Sequence, residues 1–171
     1  MRVMFQDEAR FGRMNRPMRC WAPAGYRPVV GKQLIREYVY AFCAASPTDG
    51  ICDFLILPTL EQKTMQLFLD EVAARHASEL ILMICDGASA HNDKGLKLPE
   101  NMLLVKLPPY CPDLNPIEHI WDDMREKFFG NVVFKSMDAV ETQIVTACQF
   151  YESSPNVAQS ITGFEWIVEP I

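Results

Sequence analysis

The chain has 171 residues, 49% of them apolar, and a formal net charge of −6 at pH 7. This length is typical of one domain with a sizeable core, and no apolar stretch reaches the roughly 18 residues that a membrane span needs. The sequence begins with a strand-like segment rather than a signal peptide, and its six cysteines show no CxxC pair or zinc-like spacing. We therefore expect a cytoplasmic protein with reduced thiols and no structural zinc.

The first half of the chain predicts three strands and one helix. The apolar segment over residues 2–7 is typical of a buried strand. Residues 36–45 and 51–57 are also strand-like, and the Ser-Pro-Thr-Asp-Gly turn between them predicts an antiparallel hairpin. Residues 60–76 repeat apolar side chains at helical spacing, which predicts an amphipathic helix with Thr59 as its cap.

The second half of the chain alternates strands and helices. Residues 80–85 and 102–107 are continuous apolar runs, which are typical of central strands covered on both faces. Prolines then exclude regular structure as far as Pro116, which suits the first turn of a helix with Asn115 as its cap. A further helix is expected over residues 136–151. This order of elements predicts an α/β protein with a mixed five-stranded sheet flanked by helices.

Three acids stand where a strand ends or a helix begins. Asp7 follows the first strand, Asp86 follows the fourth, and Glu118 opens the helix after the prolines. Hard divalent cations prefer carboxylate oxygens, and two such ions clamp the attacking and leaving oxygens of a phosphodiester displacement. The three acids therefore predict a two-metal site for phosphodiester chemistry.

Other acids near these positions compete for the same role. Glu8 follows Asp7, but successive strand residues face opposite sides of a sheet, so Glu8 is expected to point away. Asp113 lies within the proline-rich loop, and Asp122 shares a helix face with Glu118. Spacing alone leaves open the choice between Glu118 and Asp122, and three unrelated surface acids are the simplest alternative.

Three segments carry the acids: Phe5-Gln6-Asp7-Glu8, Asp86-Gly87-Ala88-Ser89-Ala90-His91, and the run from Leu107 to Trp121 that begins Leu-Pro-Pro-Tyr-Cys-Pro. Together they resemble the catalytic domain of DDE-type transposases, in the bacterial insertion-sequence branch of the mariner superfamily. Cys111 stands where the family has serine, a departure that touches no carboxylate. The resemblance covers residues 1–135.

The resemblance implies a ribonuclease-H-like fold, with a catalytic core over residues 1–135 and a C-terminal helix and tail over 136–171 that pack on it. It implies that Asp7 bridges two Mg²⁺ or Mn²⁺ ions and that Asp86 binds one of them. Glu118, on which the family motif falls, binds the other. The implied activity is metal-dependent DNA strand cleavage and strand transfer at transposon ends.

Two further residues of these motifs, His91 and Trp121, each have two alternative roles. His91, five residues after Asp86, is expected either to contact a phosphate of the DNA or to make structural hydrogen bonds. Trp121 lies at helical spacing and is expected in the core, with base stacking as the alternative.

Complete transposases of this family carry helix-turn-helix modules ahead of the catalytic domain, and no such segment precedes Met1 in this sequence. We therefore expect a fragment, a truncated copy or a split-frame product, with a separate helix-turn-helix subunit as one partner. The expected location is the nucleoid of a bacterial cytoplasm.

A basic segment over residues 10–36 contains no acid, and its glycines and prolines predict a long loop or hairpin excursion. Its one-signed charge predicts contact with DNA although the chain as a whole is acidic. By resemblance it is also the place of a clamp between the subunits of a homodimer, and a solvated loop is the alternative. Arg36 ends this segment, and the DNA-binding candidates are Arg10, Arg13, Arg16, Arg19, Arg27 and Lys32, together with His91.

Two other functions stay open. A non-catalytic transposase remnant would act as a DNA-binding, dimerisation or regulatory protein; the absent recognition module favours it, and the intact acids count against it. A receiver-like domain would use a strand-end Asp to take a phosphoryl group, but it leaves the proline-rich motif unexplained.

Overall fold

The computed structural model describes residues 1–86, 95–109 and 111–168. Its strands are β1 (Arg2–Met14), β2 (Leu34–Ala45), β3 (Cys52–Leu57), β4 (Ile81–Cys85) and β5 (Met102–Lys106). They form one sheet in the order β3-β2-β1-β4-β5. β2 is antiparallel to β1 and β3, whereas β4 is parallel to β1 and β5. The predicted mixed five-stranded sheet is confirmed.

Helices cover both faces of this sheet. They are α1 (Gln62–Arg75), α2 (Ile117–Phe129), α3 (Met137–Glu152), α4 (Pro155–Thr162) and α5 (Glu165–Val168). A 3₁₀ turn at Pro112–Leu114 precedes α2. None of the described helices is both long enough and apolar enough to cross a membrane.

The two faces of the sheet bury separate apolar clusters. α1 packs Met65, Phe68 and Leu69 against one face, where Met4 and Phe42 meet them. α2 and α3 cover the other face, and the buried residues of this cluster include Phe5, Phe11, Phe54, Ile117, Ile120, Trp121, Met124, Ile144, Tyr151 and Ala158. Burial on both sides explains the continuous apolar runs of the central strands.

The predicted start of α1 is wrong by a few residues. The helix begins at Gln62 with Glu61 as its N-cap, rather than at residue 60 with Thr59. The hydroxyl of Thr64 donates to the carbonyl of Thr59 at 2.9 Å and accepts the backbone N–H of Glu61 at 3.0 Å. This capping box places the N-cap two residues later than the sequence indicated. α4 and α5 lie in the tail, for which no elements were predicted.

The first hairpin is longer than predicted. β1 continues to Met14, which pairs with Leu34 of β2, so the base of the predicted loop or hairpin excursion is a two-stranded ribbon, whereas residues 15–33 form no strand. Gly12 permits the close approach of the two strands, because a Cβ atom there would lie 2.1 Å from the carbonyl oxygen of Glu37. We call residues 10–36 the basic arm.

Side-chain amides fasten the base of the basic arm to the segment after α2. Gln33 and Phe134 exchange two hydrogen bonds of 2.8 and 3.2 Å, and Met18 and Asn131 exchange two of 2.8 and 3.1 Å. Asn15 donates one hydrogen bond to a carbonyl group within the arm and one to a carbonyl group of the segment after α2. Asn131 has φ of 59°, a left-handed conformation that asparagine tolerates. Beyond this base, residues 20–29 are exposed.

Candidate active site

The parallel pairing of β1 and β4 aligns the first two predicted acids. Phe5 lies level with Ile84 at the end of the β1–β4 ladder, and Asp7 and Asp86 each follow two residues later along the chain. Phe5 and Ile84 both contact the cluster under α2 and α3. Because side chains on the same face recur every second residue, Asp7 and Asp86 belong to that face as well. β1 and β4 are therefore neighbouring strands.

Asp7 is a buried acid on a long strand. Its side chain accepts a hydrogen bond of 2.9 Å from the indole Nε1–H of Trp121 at Oδ2. The pKa of Asp7 is raised to about 7, mainly by burial and in smaller part by the negative charges of Glu118 and Glu8. Hydrogen bonds from the backbone of Glu8 and from Trp121 act in the opposite direction. Near neutral pH the carboxyl group of Asp7 is therefore only partly ionised.

Glu118 lies in the first turn of α2 and is exposed. Pro116, with φ of −65°, is the N-cap, one residue later than the predicted cap Asn115. Asn115 is nevertheless buried at the helix start, where its Oδ1 accepts the N–H of Ile117 at 3.2 Å. Its Nδ2 donates to the carbonyl of Gln6 at 3.0 Å, which ties the helix start to β1 beside Asp7.

The competing acids have other surroundings. Asp122 is exposed and pairs with Arg125 at 3.3 Å, and Asp113 is exposed in the 3₁₀ turn. Glu8 accepts a hydrogen bond of 2.9 Å from Gln6 Nε2, two residues away, and so shares its face rather than that of Asp7. Of the competing acids, only Glu8 acts with Glu118 among the main causes that raise the pKa of Asp7.

The donor set suits a hard divalent cation. Three carboxylates at one end of β4 supply the oxygen ligands that Mg²⁺ and Mn²⁺ prefer. The raised pKa of Asp7 reflects burial and negative charge that a cation would offset. In the part of the chain that the structure describes, no three His, Cys, Asp or Glu side chains are close enough together to hold one ion. His91 lies outside the described residues.

The basic candidates separate into two groups. Arg13 makes structural hydrogen bonds: it donates to the carboxylate of Glu37 at 2.8 Å and to the carbonyl of Phe134 at 3.1 Å. The others are exposed: Arg10, Arg16, Arg19, Arg27, Lys32 and Arg36. Arg10 lies over the ring of Tyr38 at 4.7 Å. A cavity of about 1050 Å³ between the basic arm and α2 is lined in part by Arg10, Arg16, Arg36 and Arg125.

Sequence reasoning missed two residues that shape this site. Trp121 is buried in the core as predicted, but spacing did not indicate that its N–H reaches Asp7. Asn115 was predicted only as a helix cap, and its bond to the backbone of β1 was not foreseen. The available signal was their position three residues before and three residues after Glu118.

A family model described as DDE superfamily endonuclease matches residues 2–141. The chain belongs to the DDE superfamily endonucleases. The chain is also 34% identical over 134 residues to the uncharacterized protein y4pE/y4sA of Sinorhizobium fredii (strain NBRC 101917 / NGR234). That match covers 75% of the DDE chain and 96% of the relative.

Solved structures of Mos1 mariner transposase have a similar fold. The catalytic domain of Mos1 aligns with a TM-score of 0.59 at 13% identity, covering 98% of the DDE chain and 80% of the Mos1 domain. The Mos1 paired-end complex with Mn aligns with a TM-score of 0.66 at 15% identity, covering 94% and 53%. The DDE chain thus spans about half the length of that Mos1 chain. This likeness confirms the ribonuclease-H-like fold that the motifs implied.

Proposed function

We propose that this chain is the catalytic domain of a DNA transposase that cleaves and joins DNA strands with a divalent metal ion. The observation that carries the proposal is the arrangement of three motif acids. Asp7 lies on β1, Asp86 directly follows the neighbouring parallel strand β4, and the negative charge of Glu118 on α2 contributes to the raised pKa of Asp7. Membership of the DDE superfamily endonucleases supports the same reaction class.

In this proposal each acid has its own role. Asp7 is proposed as the shared ligand, since it is buried whereas Asp86 and Glu118 are exposed, and since the negative charge of Glu118 contributes to its raised pKa. Asp86 and Glu118 are the ligands on either side of it. Two bound Mg²⁺ or Mn²⁺ ions would polarise the scissile phosphate and stabilise the attacking and leaving oxygens. The buried carboxyl of Asp7 must release its proton before it serves as a ligand.

The proposed substrate is duplex DNA, with transposon ends and target DNA as its natural forms. The basic arm presents six exposed cations, and phosphate contacts by such side chains dominate the affinity for DNA. The proposed assembly is a homodimer in which residues 20–29, at the exposed tip of the arm, contact the second subunit. A helix-turn-helix subunit that recognises the transposon end is the proposed further partner.

A metal-dependent nicking assay on supercoiled plasmid tests the reaction. We expect nicking with Mg²⁺ or Mn²⁺ and none in EDTA. Asp7→Asn, Asp86→Asn and Glu118→Gln are each expected to reduce the rate by about a thousandfold, because several kcal/mol of transition-state stabilisation depend on the metal ligands. Asp113→Asn and Asp122→Asn are the matched controls, and both are expected to nick at the wild-type rate.

Loss of activity in Asp122→Asn with full activity in Glu118→Gln would move the third ligand to Asp122. Metal-independent nicking that survives all three substitutions would overturn the proposal. DNA binding without any metal-dependent nicking would favour the non-catalytic, regulatory role instead.

A further inference from the structure

Two hydrogen bonds join consecutive residues of β1 to the helix that carries Glu118. The amide Nδ2 of Asn115 donates to the carbonyl of Gln6 at 3.0 Å, and the indole Nε1 of Trp121 donates to Oδ2 of Asp7 at 2.9 Å. Both pairs are buried. Buried hydrogen bonds of this kind are costly to break, because the group left behind has no water to replace its partner.

Glu118 stands midway between the two donors. Asn115 is three residues before it and Trp121 three residues after it, so the attachments lie nearly one helical turn to either side. A helix attached at one point can pivot, whereas a helix attached at two points keeps its orientation to the strand. The backbone that carries Glu118 is thus fixed relative to the strand that carries Asp7.

The indole of Trp121 is itself held in place by aromatic contacts. Its ring packs edge-on against Phe11 and Phe54, with centroids 6.0 and 6.1 Å away. The donor therefore has a set position, and it fixes one carboxylate oxygen of Asp7.

We propose that Asn115 and Trp121 are positioning residues that set Glu118 against Asp7 before a divalent cation binds. The inference rests on the proposed function, since it assumes that these acids hold the metal. Partners that orient metal ligands typically contribute ten- to a hundredfold to metal affinity.

The test is the Mn²⁺ affinity of the full chain, measured by calorimetry without DNA. Trp121→Phe keeps an aromatic ring in the core but removes the donor, and we expect it to weaken Mn²⁺ binding about tenfold or more. Tyr151→Phe is the matched control, because it removes another aromatic donor to a carboxylate, the 2.6 Å bond from Tyr151 to Asp123, in the same cluster. We expect it to lower the melting temperature and to leave Mn²⁺ affinity unchanged.

Asn115→Ala provides a second variant should Trp121→Phe not fold, and it too is expected to weaken Mn²⁺ binding. Wild-type affinity in a folded Trp121→Phe or Asn115→Ala protein would overturn this inference while leaving the proposed function intact. An equal loss of affinity in Tyr151→Phe would also overturn it, since a general effect of core stability would then suffice. Wild-type protein that binds no Mn²⁺, or binds it equally well after Asp86→Asn, would overturn the proposed function and this inference with it.

Discussion

Glu118 and Asp7 are coupled electrostatically across the gap between α2 and β1. Burial raises the pKa of Asp7 from its usual 3.8 to about 7, and the negative charge of Glu118 is the next largest cause. Without a cation, the site therefore retains a proton on Asp7 well above the pH at which an exposed aspartate loses it. Stability and metal binding should both depend on pH as a result.

The first prediction concerns the stability of the metal-free protein. A carboxyl whose pKa is raised in the folded state costs nothing below pH 4, and its penalty grows as pH rises through about 7. In EDTA, the free energy of unfolding of the wild type should fall relative to Asp7→Asn by as much as ~4 kcal/mol between pH 4 and pH 8. Urea denaturation at each pH measures it. Parallel pH profiles for the two proteins would contradict the prediction.

The second prediction separates the two causes of that shift. Glu118→Gln removes a negative charge but leaves Asp7 buried, so the pKa of Asp7 should fall only part of the way toward its usual value. The loss of stability with pH should accordingly be smaller than in the wild type but still present. Asp122→Asn, one helical turn further along, serves as the control and should leave the pH profile unchanged.

The third prediction contrasts two aspartates. Asp53 is buried and accepts hydrogen bonds from His76 at 2.7 Å and Arg75 at 3.2 Å, whereas Asp86 is exposed at the end of β4. Asp53→Asn should lower the free energy of unfolding by about 1–3 kcal/mol and leave nicking by the folded protein intact. Asp86→Asn should change stability in EDTA by less than about 0.5 kcal/mol and abolish nicking.

Chemical denaturation and the nicking assay on the same preparations check both halves of this contrast. A sharp loss of stability in Asp86→Asn would identify it as a structural residue. Full activity in the same variant would remove it from the proposed ligands.

The fourth prediction concerns DNA binding by the basic arm. Arg16 and Arg19 are exposed, and each phosphate contact contributes about one unit to the slope of log affinity against log salt. The Arg16→Ala, Arg19→Ala double variant should therefore bind duplex DNA with a slope reduced by about two units. Arg75→Ala, which removes a cation on α1, is the control and should keep the wild-type slope. An unchanged slope in the double variant would make the arm an ordinary solvated segment.

The fifth prediction concerns assembly. Residues 20–29 lie beyond the amide contacts of Asn15, Gln33 and Asn131, so a short Gly-Ser linker in their place should leave the fold intact. Truncation further toward the sheet would remove those contacts. If the tip clamps a second subunit, sedimentation should show a dimer for the wild type and a monomer for the shortened protein, with the same unfolding midpoint in dilute solution. The same oligomeric state for both would exclude the clamp.

Most elements of the sheet follow from local patterns. Continuous apolar runs predicted β4 and β5, and β4 is a central strand of the kind that such a run indicates. The prediction that β5 is also covered on both faces is wrong, because β5 lies at the edge of the sheet and exposes Leu103 and Val105. The prolines before residue 116 placed the start of α2 to within one residue, since proline is excluded from a helix interior but suits its first turn. The strand pairing at the base of the basic arm was harder to predict. Its arginines give no strand-like pattern, and the pairing depends on a partner strand some 20 residues away.

The sequence by itself determined which acids form the candidate site, because the motifs around Asp7, Asp86 and Glu118 are local in the sequence. The prediction that Asp7 ends its strand is wrong, since β1 continues to Met14. The tertiary structure decided how those acids behave. Burial of Asp7, its hydrogen bond from Trp121 and the charge of Glu118 nearby all join residues more than 100 positions apart. Local propensity carries no information about such pairs, since they exist only once α2 has packed against β1.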